Sequence, residues 1–219
     1  MVHAITLDSV SHHFQTATDR IVLFEDVSLD IQAGRSYSIA GPSGAGKSSL
    51  LTLVAGLETP KAGRIEFTID NRIASQTTLR KRSGFIFQQF HLLPELDALS
   101  NLALPLRLKG DKNAYDKAHA WLARVGLTAR ARHKPAQLSG GEQQRVAIAR
   151  AFIGDPVFVF ADEPTGNLDE KTAEHVAELM FDFGRTDQRA LVLVTHNRAL
   201  AAKADHRFRM AAGELERLP

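Results

Sequence analysis

Gly41-Pro42-Ser43-Gly44-Ala45-Gly46-Lys47-Ser48 has the spacing G-x-x-x-x-G-K-S, set between the run Ser36-Tyr37-Ser38-Ile39-Ala40 and a stretch carrying Leu50, Leu51, Leu53 and Val54. The flanks predict a short strand running into the loop and a helix leaving it, ending near Gly56. That setting makes the octapeptide a phosphate-binding loop. Its glycines let the backbone curl so that successive N–H groups converge on phosphate oxygens, and the following helix adds the positive end of its dipole. Lys47 is expected to neutralise β- and γ-phosphate charge and the Ser48 hydroxyl to ligate Mg²⁺, with Ser49 extending the contact set into the helix.

Pro156-Val157-Phe158-Val159-Phe160-Ala161-Asp162-Glu163 is an apolar strand ending in two carboxylates. A strand lying beside that of the phosphate loop delivers such a carboxylate to the metal's outer shell, and Asp162 suits that role. Glu163, one residue further on, is placed to accept a proton from water attacking the γ-phosphate.

Working outward, Ile5 and Leu7 alternate with Thr6 and Asp8, and Val27, Leu29 and Ile31 with Ser28 and Asp30, which predicts strands covering one face of a core. From about Gln89 to Leu138 the period becomes helical, with Tyr115, Ala118, Leu122 and Val125 in step and Gly126 where a helix stop belongs. Strand and helix then alternate: helix Glu142 to Ile153, strand Val157 to Ala161, helix Lys171 to Phe183, strand Leu191 to Val194. The expected fold is α/β: a mainly parallel sheet wrapped by helices, an N-terminal antiparallel β region and a helical subdomain inserted at about 89–140 of a single domain, 1–219.

The 219 residues, 44% hydrophobic and 24% charged, exclude disordered and fibrous classes. A net charge of +2 without a long basic run gives no reason to expect a nucleic-acid partner. The absence of cysteine removes disulfides, thiolate zinc sites, iron–sulfur clusters and a thiol nucleophile. Apolar runs are strand-sized, far below the roughly 18 to 20 residues that span a bilayer, and no export leader is legible, so a transport role needs a separate membrane partner.

Leu138-Ser139-Gly140-Gly141-Glu142-Gln143-Gln144-Arg145 opens a helix whose apolar positions Val146, Ala149 and Ile153 recur at helical spacing. A serine and two glycines at a helix N-terminus form a second anion site. Two phosphate sites in one chain make sense if two chains pair head to tail, each nucleotide held by the loop of one and the Ser139 helix of the other.

With this motif, the phosphate loop, Ala161-Asp162-Glu163-Pro164-Thr165-Gly166-Asn167-Leu168-Asp169 and Thr195-His196, the chain resembles the nucleotide-binding subunit of an ABC transporter over essentially its whole length. The resemblance implies a P-loop NTPase of the ABC ATPase type with a RecA-like core, binding ATP and Mg²⁺ and hydrolysing ATP as a homodimer. It implies that Gln88, in Phe85-Ile86-Phe87-Gln88, contacts Mg²⁺ or the attacking water. By the same resemblance Asp169 crosses the dimer seam, Ser139, Gly140, Gly141 and Glu142 face the partner's nucleotide, and His196 contacts the γ-phosphate. Phe14 stands where the family commonly stacks an aromatic ring on adenine; the other reading is a core phenylalanine behind the first strand.

Phe87-Gln88-Gln89-Phe90-His91-Leu92-Leu93-Pro94, Leu104-Pro105-Leu106 and Pro135-Ala136-Gln137 are most similar to the MacB/LolD/FtsE-like branch. That implies integral membrane permease subunits, a peripheral place on the cytoplasmic face of the inner membrane, and export, efflux, lipoprotein release or mechanotransmission. The apolar segment Phe85, Phe87, Phe90, Leu92, Leu93, Leu96 and Leu99 reads as a groove for a short permease helix or as the subdomain's own core. Importer ATPases carry similar motifs, and a soluble ABC ATPase acting on nucleic acid or ribosomes is the competing class. His12, His13, His91 and His133 lack metal-ligand spacing and read as surface residues; Trp121 reads as packing.

Overall fold

The computed structural model describes residues 1–15, 19–186 and 189–219. In chain order, β1 (Ala4–Gln15) pairs with β2 (Arg20–Gln32), and β3 (Ser36–Ala40) leads into α1 (Lys47–Val54). Next come β4 (Ala62–Ile69), β5 (Arg72–Ile73), α2 (Gln76–Lys81) and β6 (Ser83–Phe87). Helices α3 (Ala98–Leu108) and α4 (Ala114–Arg124) precede two short 3-10 turns and α5 (Gly140–Phe152). The remaining elements are β7 (Phe158–Asp162), α6 (Glu170–Thr186), β8 (Ala190–Thr195), α7 (Arg198–Ala201), β9 (His206–Ala211) and β10 (Glu214–Leu218).

Two sheets result. The first, ordered β2-β1-β4-β5, is antiparallel, and Ile5, Leu7, Val27, Leu29 and Ile31 all turn inward from it. The second, ordered β10-β9-β3-β8-β7-β6, is parallel except for its β10 edge. Parallel strands covered on both faces carry apolar residues at nearly every position, and β8 is buried throughout.

The second sheet separates two cores. On one face Ile39, Phe158, Phe160, Val192 and Val194 pack with Leu50, Leu53 and Val54 of α1 and with the first sheet. On the other, Val159, Ala161, Leu191 and Leu193 pack with α3, α4, α5 and α6. Leu50, Leu53 and Val54 are fully buried, each contributing about 1.5–3 kcal/mol by removal from water, so α1 and the loop before it are clamped to the first face.

The helical segment between β6 and α5 ends α4 as its sequence predicts. Gly126 takes φ 68°, a left-handed value favouring glycine, and Leu127 N–H returns to Leu122 O at 2.8 Å. Trp121 packs between Phe152 and Phe183, in keeping with its reading as a packing residue. His12 departs from expectation. A bulge at Asp8-Ser9 shifts the alternation of β1, so that Val10 and His12 face inward; His12 is only 3% exposed and stacks on Phe24 at 6.0 Å.

Asn101, fully buried on α3, holds the loop before that helix. Its Oδ1 accepts Leu93 N–H at 2.8 Å, and its Nδ2 reaches the carbonyls of Leu93, Leu96 and Asp97 at 3.0, 3.0 and 3.2 Å. Asn101→Ala strands these backbone groups and is expected to cost about 1–3 kcal/mol. Urea unfolding checks it, with a lowered midpoint and an unchanged slope as the expected result.

Candidate active site

Gly46 begins α1 at φ 89°, a backbone angle that a side chain would strain, and no side chain caps the first turn. The N–H groups there face outward at the positive end of the helix dipole, and no acidic residue lies in that turn to compete for them. Ser43, Gly44 and Ser48 are exposed, whereas Lys47 is buried. Its ammonium donates to Gly41 O at 3.0 Å and Pro42 O at 2.9 Å, folding the lysine against the loop it would share with a phosphate.

Ser48 Oγ donates to Asp162 Oδ1 at 3.0 Å. Burial pushes the Asp162 carboxyl above its usual range; Ser48 pulls it back, the neighbouring Glu163 charge pushes it up again, and Lys47 lowers it. A hydroxyl and a partly desolvated carboxylate in contact are hard oxygen donors of the kind Mg²⁺ takes, so the residues fit that ion. Gln88 is not joined to them. Its Nε2 donates to Asn167 Oδ1 and its backbone carbonyl accepts from Asn167 Nδ2, both at 3.0 Å.

Glu163 has φ 44°, uncommon for a residue with a side chain, and its N–H donates to Val194 O at 3.0 Å. Its Oε2 accepts Thr195 Oγ1 at 3.0 Å and His196 N–H at 3.3 Å, while Oε1 lies 3.0 Å from His196 Nδ1. Asp162, Glu163 and His196 thus meet beside the phosphate loop.

Ser139 caps α5. Its Oγ accepts Glu142 N–H at 3.2 Å and its own N–H donates to Glu142 Oε2 at 2.8 Å, leaving the Gly140 and Gly141 N–H groups without intrahelical acceptors. The Ser139 N–H bond, followed by the Arg130 and Ser139 side chains, outweighs burial and holds the Glu142 carboxyl below its usual range. Gln144, fully buried one turn on, donates to Pro164 O next to Glu163.

Phe14 is 46% exposed, so it is not the core phenylalanine of the alternative reading. Asp169 accepts Thr172 N–H at 3.0 Å and caps the start of α6. The apolar segment divides: Leu99 is buried in the helical core, while Phe85, Phe87 and Pro105 floor a cavity of about 300 Å³ rimmed by Arg80, Lys81 and Lys109. One residue without a role in the sequence reading, Arg150, emerges here, beside a contact of Asn167 that the sequence does not show. Arg150 donates to the carbonyls of Phe90 at 2.8 Å and His91 at 2.7 Å, two non-glycine residues with positive φ, and Asn167 pairs with Gln88. In sequence Arg150 is one more charge on α5; its partners lie 59 and 60 positions away and become visible only once the Phe90 loop is placed.

The sequence matches the ABC transporter family over residues 24–166. It is 42% identical over 207 residues to the lipoprotein-releasing system ATP-binding protein LolD of Coxiella burnetii, covering 90% of this chain and 88% of that protein. It is 40% identical over 217 residues to the uncharacterized ABC transporter ATP-binding protein YbbA of Escherichia coli (strain K12), covering 94% and 95%. The fold is similar, with TM-score 0.85 and 36% identity over 98% of this chain and 99% of the other, to the dimeric post-hydrolysis state of the ATP-binding cassette MJ0796 bound to ADP and Pi.

Ser139→Ala removes the α5 cap and is expected to cost about 1 kcal/mol at neutral pH. A depressed carboxyl pKa stabilises above the unfolded value and ceases to do so as pH falls through the folded one, so the Glu142 contribution should fade only below about pH 4.3. Urea titrations of the parent protein and Glu142→Ala, from about pH 7 to about pH 3, check the sign: their difference should shrink toward acid.

Proposed function

The chain belongs to the ABC transporter family, and from that membership we propose that two copies sandwich two ATP molecules, each held by the phosphate loop of one copy and the Ser139 helix of the other. The protein is an ATP-binding and ATP-hydrolysing subunit of an ABC transporter. One observation carries the shared-site reading: α1 and α5 belong to different cores on opposite faces of the parallel sheet, so the two anion-binding helix ends serve one nucleotide when a second copy supplies the other.

In each site Gly41 to Ser49 wrap the phosphates, Lys47 turns from its loop carbonyls to the terminal phosphates, and Phe14 stacks on the base. Ser48 and Asp162, with Gln88 swung from Asn167, would hold Mg²⁺, which neutralises phosphate charge when bound. Gly140 and Gly141 N–H groups, with the Ser139 hydroxyl, receive the partner's γ-phosphate, and Glu142 keeps that helix end capped. Glu163 accepts the proton of the attacking water, and His196 leaves Glu163 to contact the γ-phosphate. Asp169 stands at the seam, at the head of α6. Loss of the bridging phosphate then removes the cross-copy hydrogen bonds and lets the copies part.

The chain works as one ATPase domain whose helical insertion, about 89–140, meets a membrane permease. The Phe85, Phe87 and Pro105 cavity, with its cationic rim, suits a short amphipathic helix bearing carboxylates. Held by that helix, the protein sits peripherally on the cytoplasmic face of the membrane. The relatives named for lipoprotein release support a system of that type, with cargo recognition left to the permease.

Glu163→Gln should keep ATP binding, lower turnover by about 100-fold or more and accumulate a dimer with ATP on size-exclusion chromatography. Turnover at the wild-type rate would refute the base assignment. Arg80→Glu combined with Lys81→Glu should leave basal hydrolysis intact and abolish its stimulation by the reconstituted permease; stimulation that survives puts the docking groove elsewhere.

A further inference from the structure

We propose that Thr195 is the positioning residue for the hydrolytic carboxylate: its hydroxyl fixes Oε2 of Glu163, so that Oε1 is the oxygen that receives the proton of water. This role depends on Glu163 being the base.

The direction of one hydrogen bond decides which oxygen is fixed. Thr195 Oγ1 accepts the Asn197 N–H at 3.0 Å and lies 3.0 Å from Glu163 Oε2. A hydroxyl has a single proton, and an ionised carboxylate can only accept, so that proton points at Glu163. Thr195 is 1% exposed, which leaves no water to take its place. Asn197 is itself anchored, because its Oδ1 accepts Leu200 N–H at 3.1 Å and caps α7. The donor to Oε2 is therefore held by backbone on both sides, and the His196 N–H at 3.3 Å adds a second fixed donor to the same oxygen.

Oε1 differs in kind. It faces Nδ1 of His196 at 3.0 Å, on a side chain 60% exposed, against 16% for that of Glu163. Moving the imidazole to a γ-phosphate uncovers Oε1 and leaves both bonds to Oε2 in place. The proton then passes from water to Oε1 as the water oxygen bonds to phosphorus and the bond to the ADP oxygen breaks. The bond from Glu163 N–H to Val194 O orients only the main chain, so the carboxylate is placed by the donors to its own oxygens.

Thr195→Val keeps the shape and deletes the donor to Glu163 together with the acceptor of Asn197 N–H, the second loss being one that Thr195→Ser also repairs. Misplacing a reacting group by about 1 Å costs about 100-fold, so kcat for ATP is expected to fall about 10- to 100-fold while KM stays within about twofold. Thr195→Ser should restore most of the rate, and the ATP-dependent dimer should still form in Thr195→Val. Loss of ATP binding together with turnover, or failure of Thr195→Ser to restore the rate, would overturn the inference in favour of a purely structural threonine. Glu163→Gln measured alongside separates the two claims. An inactive Glu163→Gln beside a fully active Thr195→Val sinks the positioning role alone; an active Glu163→Gln sinks the base assignment on which it depends.

Discussion

Parallel pairing of β3 with β8, and of β7 with both β8 and β6, brings four strand ends to one edge of the sheet. Ala40 lies opposite Thr195, Val194 opposite Asp162, and Asp162 opposite Phe87. The proposed roles then fall to the residue that follows each strand. Gly41 opens the phosphate loop, Glu163 comes after Asp162, His196 after Thr195, and Gln88 after Phe87. Because side chains alternate with a period of two, a slip of one residue in any of these pairings would turn Asp162 or Thr195 to the wrong face. Register, set by apolar burial on both faces of β7 and β8, is what converts distant sequence motifs into one site.

Much of this is readable from local pattern. The phosphate loop, the Asp162-Glu163 strand end and the Ser139 helix carry their own signals: glycine spacing, an apolar run stopped by acid, and a serine three residues before a glutamate. The alternation in β2 and the helical period around Leu122 also need no tertiary knowledge. His12 escapes such a reading because a bulge reverses the inward parity of β1, and a bulge leaves no mark in a hydrophobic pattern. Leu99 and Phe87 look alike in sequence, yet one is sealed in the helical core and the other lines an open cavity. The role of Thr195 is invisible for a different reason, since its partner is 32 positions away and the bond exists only when β7 and β8 align.

Side chains also connect the site to the second core. Gln144 reaches from α5 to Pro164, Arg150 from the same helix to Phe90 and His91, and Asn167 from the loop after Glu163 to Gln88. Phe90, His91 and Glu163 all have positive φ, so these bonds hold in place backbone that would otherwise relax. Any displacement of α5 is therefore felt at two loops at once: the one that follows Glu163 and the one carrying Phe90 and His91. Arginine suits the second link because its planar fork satisfies two carbonyls simultaneously, which a lysine ammonium does not do with the same rigidity.

Trp121 is the single tryptophan of the chain. Its indole stands 5.1 Å from the Phe183 ring and 6.4 Å from that of Phe152, with the Arg124 guanidinium 3.9 Å above it. Phe152 ends α5 and Phe183 lies on α6, so the ring sits where three helices converge, with a cation over its face. The chain thus contains an unlabelled optical probe at the meeting of α4, α5 and α6, with surroundings set by how those three helices pack.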